Sequence, residues 1–558
     1  MLSMKNDRAN KRKVDKDDIR SIAREPILKT LDELHKKYKD TKFILVLDVP
    51  SIPIISALFT MSELIQNGVV LIEKYDLQRE PFPLYHAIYL LGPNTSIANF
   101  IKDFESQPKY AAPHLLFSYA PSGVVIDELN NSPVVNRILT FKSLYIQFTP
   151  MDHHTFLVNS PEALNSFYSP SPRVNLSLAC DHMISGLISF FFSIRSSPLV
   201  SFEKSTQKCV QFANEFQRQF TETYDSFPPE IKSEFSNNAT LLLIIPRGAD
   251  PVAPLLHQFT FEAMIYDHFS IDNETVQLEE GKPDSTLSLN VYEDPSYEEY
   301  RYVHLGELLP FVQQRSRRFQ ELHQQTLSND PKVKTEAIKK ISREKDLYNQ
   351  TINRYSMAVK LSEINERSGL VPFAEYEQTI ATGLKDGNKV KASSLELSQQ
   401  LTKPQIKESD KIRLLAIYNI KGNQMSETEL SRNMESAGIR EEYTPVFRNL
   451  QMYIGKGVKR SPKKVLIPGA YSSDKYNPLV AEAVSDANNG SLDPDTFSIP
   501  PHNGKYKNIV LFMIGGISFM ELRELNKLRS RMKGTKLWVG SSNSLYPKSF
   551  VEQLKCLA

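Results

Sequence analysis

Five consecutive apolar residues, Leu241 to Ile245, predict a strand covered on both faces, because a one-sided strand would alternate polar and apolar positions. Gly248 then predicts a tight turn, Asp250 a helix N-cap and Pro251 the first helical position. Val252, Leu255, Leu256, Phe259, Ala263 and Tyr266 follow at helical spacing, which predicts a helix with one apolar face. Residues 40 to 150 alternate in the same way. Phe43–Asp48, Val69–Ile72, Ile88–Leu91 and His114–Phe117 are short apolar runs separated by helical patterns at Ser56–Gln66 and Ser96–Phe104. Such alternation predicts a parallel sheet with helices on its faces. Leu144–Val158 reads as a strand or hairpin, and Leu176–Ile194 and Thr206–Thr223 read as helices. Strand signals return only at Asn508–Ile514 and Lys536–Gly540, so a second α/β unit is expected to be interrupted by a large insertion.

The insertion, roughly 247 to 475, is expected to be mostly helical. Leu305, Leu308, Val312, Phe319 and Leu322 follow steps of three and four, and Ile338, Ile341, Tyr348, Ile352, Tyr355 and Val359 repeat them after Ser328-Asn-Asp-Pro331. Two narrow stripes joined by a short link predict a helical hairpin. The stripes can pack on each other, and part of the seam can also receive a partner's helix. Residues 456 to 507, rich in Pro, Gly, Ser, Asn and Lys, read as an exposed connection.

At 558 residues the chain exceeds one core and predicts two to four domains. Lys+Arg 67 against Asp+Glu 65 leaves a net charge of +2, so no global field selects a bulk polyanion. Cys180, Cys209 and Cys556 lack metal-ligand spacing and fit a reducing compartment. Met1 to Asp18 has no apolar signal core, and its Arg8, Lys11, Arg12 and Lys13 read as a solvated tail. Met183–Ile194 is apolar but falls short of about 20 residues needed to span a bilayer, so any membrane role is expected to come through a partner.

Catalytic patterns are missing from the sequence. Gly383-Leu-Lys-Asp-Gly-Asn-Lys389 has the wrong spacing for a phosphate loop, and Gly515-Gly516 after a strand reads as a tight turn. His153-His154 has no third ligand at a useful spacing and reads as a surface or loop pair. His257 reads as a satisfied structural histidine. No cofactor or metal is expected, and an α/β enzyme stays a remote alternative.

Arg247, Asp250, Pro251, Pro254, Leu255, Leu256, His257, Thr260, Phe261, Ala263, Met264 and Asp267 together resemble the signature of the SM family, the Sec/Munc-type syntaxin-binding proteins. Pro246 departs from it, standing where the family usually has an acid. Leu47-Asp48, Arg79-Glu-Pro81, Phe167-Tyr-Ser-Pro170, Lys411–Tyr418 and Leu511–Arg523 continue the likeness in order, and residues 43 to 160 are most similar to the plasma-membrane, exocytic branch. The resemblance implies a three-domain α/β arch: residues 1–142, then 143–246 with 476–558, then a mostly helical 247–475 bearing a hairpin at about 305–365. It implies a monomer that clasps a syntaxin-type Qa-SNARE, binds its N-terminal peptide and promotes SNARE bundle assembly in exocytosis. A cytoplasmic protein recruited peripherally to the plasma membrane is expected; the alternative is a Golgi, endosomal or vacuolar step.

By the same resemblance, Asp48, Ser51 and Glu73 would meet syntaxin, with Pro53 and Thr60 standing where the family has basic contacts. Asp48 also ends a strand, where an acid can cap the next helix; both roles stay open. Ala120, Val125, Ile126 and Phe141 would form the N-peptide pocket, with an aliphatic in place of the family's aromatic. On the hairpin, Asp346 stands near where exocytic relatives often have a proline, and the lack of that proline would let the second helix extend and template SNAREs through Tyr348, Ile352 and Tyr355.

Overall fold

The computed structural model describes residues 18–39, 41–278, 286–294, 297–385, 387–421, 425–453, 471, 474–502 and 504–557. It opens with a helix absent from the sequence reading, α1 (Ile19–Lys37), capped by Asp18 onto Ser21 N. Asp18 also accepts from His153 Nδ1 at 2.9 Å. Burial opposes that carboxylate's charge, but the His153 and Ser21 bonds outweigh it and carry the group down to about 2. The expected surface histidine is therefore a half-buried anchor for α1.

The first sheet is parallel throughout. Its strands β1 (Phe43–Leu47), β2 (Val69–Lys74), β3 (Phe82–Leu91), β4 (Tyr110–Phe117) and β5 (Thr140–Ser143) lie in the order β2-β1-β3-β4-β5. All five residues of β1 are buried, as the continuous apolar run requires of a central strand. Between β1 and β2 come α2 (Ser51–Leu58) and α3 (Met61–Gln66); α4 (Gly123–Asn130) precedes β5.

The second sheet begins with the short antiparallel pair β6 (Thr149–Pro150) and β7 (Thr155–Leu157). The apolar helix α5 (Leu176–Ser193), β8 (Ser196–Phe202), α6 (Gln207–Asp225) and β9 (Ser236–Pro246) follow. Among the described helices α5 alone is long and apolar enough to cross a membrane. Its Met183, Ile184, Leu187, Ile188, Phe190 and Phe191 are instead fully buried in the core.

Beyond β9 the chain departs from the predicted capped helix. Arg247–Ala249 is a single 3-10 turn, residues 250 to 260 run as irregular turns, and the helix α7 (Phe261–His268) starts at the Thr260 N-cap. Pro251 and Pro254 remove two N–H donors and push the residues before them out of helical geometry, with Asp250 at φ −139°, ψ 83°. The apolar spacing reflects burial on every side rather than one face: Val252, Leu255, Leu256 and Phe259 all sit in the core. Gly248 is required by close approach, since a Cβ there would lie 2.9 Å from the Tyr168 hydroxyl and from the Tyr453 carbonyl.

The hairpin is formed by α8 (Leu305–Thr326) and α9 (Pro331–Ser368). Asp330 caps α9 with its carboxylate on Lys332 N, and Pro331 takes the first position. Far along the chain, β10 (Asn508–Ile514), α10 (Phe519–Arg531) and β11 (Lys536–Ser541) complete the second sheet in the order β6-β7-β11-β10-β9-β8. Strand β10 pairs in parallel with both β9 and β11. Gly515 and Gly516 turn at φ +96° and +102°, and a Cβ on Gly515 would meet Arg247 Cβ at 2.9 Å.

Candidate functional site

Three surfaces carry the residues marked in the sequence, and each is arranged differently from expectation. On the first, Asp48 is turned inward and buried. Its carboxylate accepts from Ser51 N at 3.0 Å, Gly92 N at 2.6 Å and the Thr95 hydroxyl. It ties the start of α2 to the loop after β3, which is the capping role, and in the free chain these donors occupy the carboxylate. Ser51 is fully buried beside it. Glu73 is half-buried and accepts from Tyr110 OH at 2.5 Å, which with burial raises that phenol. Pro53 and Thr60 are exposed; Thr60 forms a capping box with Glu63, itself 2.7 Å from Arg24 on α1. The exposed large apolar side chains of this unit before β4 are Val49, 69% exposed, Met61, Ile65, Val70, Leu77 and Leu84, the last 85% exposed. None of these six was marked from the sequence, because single exposed apolar residues look ordinary there.

The second surface is the free edge of the first sheet. Phe141, 44% exposed on β5, leans on Phe117 with ring centroids 5.7 Å apart. Ala120 and Ile126 are half-buried. Val125 is on the buried side of α4 and lines no surface; its neighbour Val124, 78% exposed, faces out instead. One residue of helical rotation, about 100°, separates the two. Leu139 is also exposed just before β5.

The third surface is the hairpin. Leu305, Leu308 and Val312 of α8 are buried as the stripe predicted. On α9 the packed face is instead Ala337, Arg354, Met357, Ala358 and Leu361, while Ile338 and Tyr355 are exposed. Arg354 occupies the seam because it stacks over Tyr300, 4.3 Å from the ring centroid, and pairs with Asp294. Asp346, Tyr348 and Ile352 lie outside the residues whose side chains are described. The backbone of α9 is helical through all of them without interruption.

The motif at 247 to 267 does not form a surface. Arg247 is buried and bidentate to Glu521, at 2.5 and 2.6 Å, and donates to the Asp250 carbonyl. Burial opposes the guanidinium charge, but Glu521 raises its affinity for the proton further still. Asp250 accepts from Val252 N, Ala253 N, Tyr476 OH and Leu479 N, joining the turn to a segment more than 220 residues away. His257 sits between Glu377, 2.8 Å, and Asp410, 3.4 Å. Burial and nearby Arg413 disfavour its charge, yet the two carboxylates carry it up to about 9. The structural-histidine reading of His257 agrees with this. Arg247 and Asp250 clamp the start of the insertion to Glu521, Tyr476 and Leu479 of the second sheet's unit, while His257 ties segments of the helical insertion to one another.

The Sec1 family model matches residues 43–553. The chain belongs to the Sec1 family. Among curated relatives it is similar to the protein transport protein sec1 of Dictyostelium discoideum, 27% identical over 92% of this chain and 94% of that one. It is also similar to the vacuolar protein sorting-associated protein 45 of the same organism, 23% identical over 92% of each. The fold of this Sec1-family chain matches that of the Unc18–syntaxin 1 complex from Monosiga brevicollis, with a TM-score of 0.81, 22% identity, and 97% and 99% of the two chains covered. It matches the SM protein Vps45 in complex with the Qa SNARE Tlg2 with a TM-score of 0.81 at 20% identity, over 96% and 98%.

Proposed function

We propose that this Sec1-family chain is a SNARE-binding protein, not an enzyme, which receives a syntaxin-class Qa-SNARE on the α2–α3–β2 face and promotes its assembly. One observation carries the reading. Across a fold shared with SNARE-bound relatives, the first sheet's unit exposes the apolar side chains Val49, Met61, Ile65, Val70, Leu77 and Leu84, from the C-terminal strand ends (Val49, Leu77) to the N-terminal ones (Val70, Leu84). Exposed apolar surface rimmed by polar residues marks protein interaction sites. Asp48 and Ser51 serve it from inside by fixing the loop that presents Val49. The open β5 edge, with Phe141, Val124 and Ile126, takes an extended peptide, since a free strand edge offers unpaired main-chain groups and an adjacent apolar anchor. The hairpin adds the exposed apolar side chains Leu327, Val333, Ile338 and Tyr355, which offer further contacts to a partner helix.

Exocytosis at the plasma membrane is the step favoured here, because the sec1 relative is more similar than the Vps45 relatives. The protein acts as a monomer in the cytoplasm. A Vps45-type endosomal role is the second reading, favoured by the equally close fold match to Vps45. Calorimetric titration with the cytosolic parts of the cell's plasma-membrane and endosomal Qa-SNAREs, each with and without its N-terminal peptide, separates the two. Binding to the plasma-membrane protein alone supports exocytosis, binding to the endosomal one alone moves the step, and binding to neither removes the SNARE reading.

A further inference from the structure

The near-neutral total conceals a strongly basic region among the described residues. Between Glu524 and Glu552 the chain contains no acid, but has Lys527, Arg529, Arg531, Lys533, Lys536 and Lys548. The first five converge where α10 ends and β11 begins. A second basic strand start joins them: Lys536 N donates to Lys507 O at 2.9 Å and the Thr535 hydroxyl to Tyr506 O at 3.0 Å, which sets Lys505 and Lys507 alongside. Lys505, Lys507, Arg531, Lys533 and Lys536 are all exposed. Beside them lies an open groove of about 560 Å³ lined by His154, Lys527, Arg529, Thr535 and Lys536.

Structural roles account for part of this charge. Lys527 pairs with Glu524 at 2.7 Å, and Asp152 and Glu298 attract Arg529. Arg529 and Arg531 also favour the negative end of α10. No helix end explains Lys505, Lys507 and Lys533, which come from two strand lead-ins. Like charges held together on strand ends repel one another, and a compact anion seated among them would relieve that repulsion. A groove of this volume fits a small ligand rather than a helix.

We propose that this end of the second sheet binds a ligand carrying clustered phosphate monoesters, either the headgroup of a phosphoinositide in a membrane or a soluble inositol polyphosphate. The site is independent of the SNARE-binding surfaces. If membrane-borne, it gives the chain a lipid contact of its own beside the one its partner supplies.

The test uses the full chain in three arms: phosphatidylcholine vesicles carrying phosphatidylinositol bisphosphate, vesicles matched in charge with phosphatidylserine, and soluble inositol hexakisphosphate by calorimetry. Binding to the bisphosphate vesicles well above the phosphatidylserine ones, displaced by the soluble polyphosphate, is expected. Binding of the soluble ligand alone supports the site with a soluble source. The triple variant Arg531→Glu, Lys533→Glu, Lys536→Glu should lose about 100-fold in affinity, each exposed cation being worth about fivefold near an anionic surface. The control triple Lys102→Glu, Lys385→Glu, Arg432→Glu should lose little. Qa-SNARE binding reports the fold of each variant; if the first triple loses that too, single Lys533→Glu and Lys536→Glu variants repeat the measurement. Failure of both phosphate probes to bind overturns the proposal. So does equal binding to the phosphatidylserine vesicles, insensitivity to the charge reversals, or equal displacement by a polyglutamate peptide, which would point to an acidic protein instead.

Discussion

Replacing Glu521 by Gln should destabilise the second sheet by about 3 to 5 kcal/mol, the usual cost of stranding one partner of a buried ion pair. The geometry gives that size independently. Arg247 and Glu521 are both inaccessible and joined by two short bonds. At an effective dielectric of about 20 and a charge separation of about 4 Å, their attraction is about 4 kcal/mol. The Gln amide keeps the shape and one acceptor, so it can still receive Ser518 N at the start of α10. Its NH2, however, points a donor at a guanidinium that only donates. The double variant Arg247→Met, Glu521→Leu should recover much of the loss, because it leaves no charge behind. The chain's one tryptophan, Trp538, lies on β11 in the same sheet, buried against Phe190, and reports unfolding of this unit directly. Denaturant midpoints by Trp538 fluorescence, with the exposed pair member Arg218→Gln as a control that should barely move the midpoint, complete the cycle. A loss under about 1 kcal/mol in Glu521→Gln would refute the clamp. The clamp also requires that Qa-SNARE affinity of the folded variant stay unchanged.

Asp48→Asn should likewise cost about 1 to 3 kcal/mol of stability by weakening its bonds to Gly92 and Thr95, and it should shift partner affinity far less than Val49→Asp; calorimetry beside thermal melts separates the two effects. Phe141→Ala should weaken binding of a syntaxin N-terminal peptide by about 1 to 3 kcal/mol, whereas Val125→Ala should act through stability; equal loss from both, measured by fluorescence anisotropy, would sink the β5-edge reading. His114, buried against His86 at 3.0 Å, is driven down to about 4 by burial and by the His86 and Lys37 charges. Its folded value lies below the unfolded one of about 6.5, so the stability it confers is complete above pH 6.5 and lost as pH falls towards 4. Hydrogen exchange in β4 and β5 should accelerate over that window, and His114→Gln should flatten the dependence. His257, held at about 9, has the opposite sign: its contribution is complete below about 6.5 and lost as pH rises through 9, a limb that His257→Gln should remove from an alkaline denaturation curve.

The elements that alternation predicted are present because burial alone dictates them. A run such as Phe43–Leu47 or Leu241–Ile245 has no solvated face, so only a central parallel strand accommodates it. The helix expected after Asp250 failed because apolar period does not distinguish one buried face from burial all round, and two prolines decided the backbone. The α9 seam was misplaced by one position for a related reason. Ile338 and Tyr355 look like core residues, whereas Arg354 does not, yet Tyr300 and Asp294 make the arginine the better seam residue. The helix α1 escaped notice because its apolar residues are diluted by charge and interrupted by Pro26.

The residues that identify the family and the residues that would meet a partner are different sets, and physics separates them. Arg247, Asp250, His257 and Glu521 are legible because a buried charge tolerates few substitutes: each needs its own counter-charge or donor at a fixed distance, and that dependence writes itself into residue type. Val49, Ile65, Leu84 and Val124 face solvent in the free chain and are constrained only by whatever covers them. Asp48 lies between the two sets, since a polar residue chosen by resemblance as a contact acts from beneath the surface by fixing the loop that carries Val49. A strong motif in a chain of this kind therefore locates the frame, and the partner-binding face is found by asking which exposed apolar residues the frame holds rigidly in place.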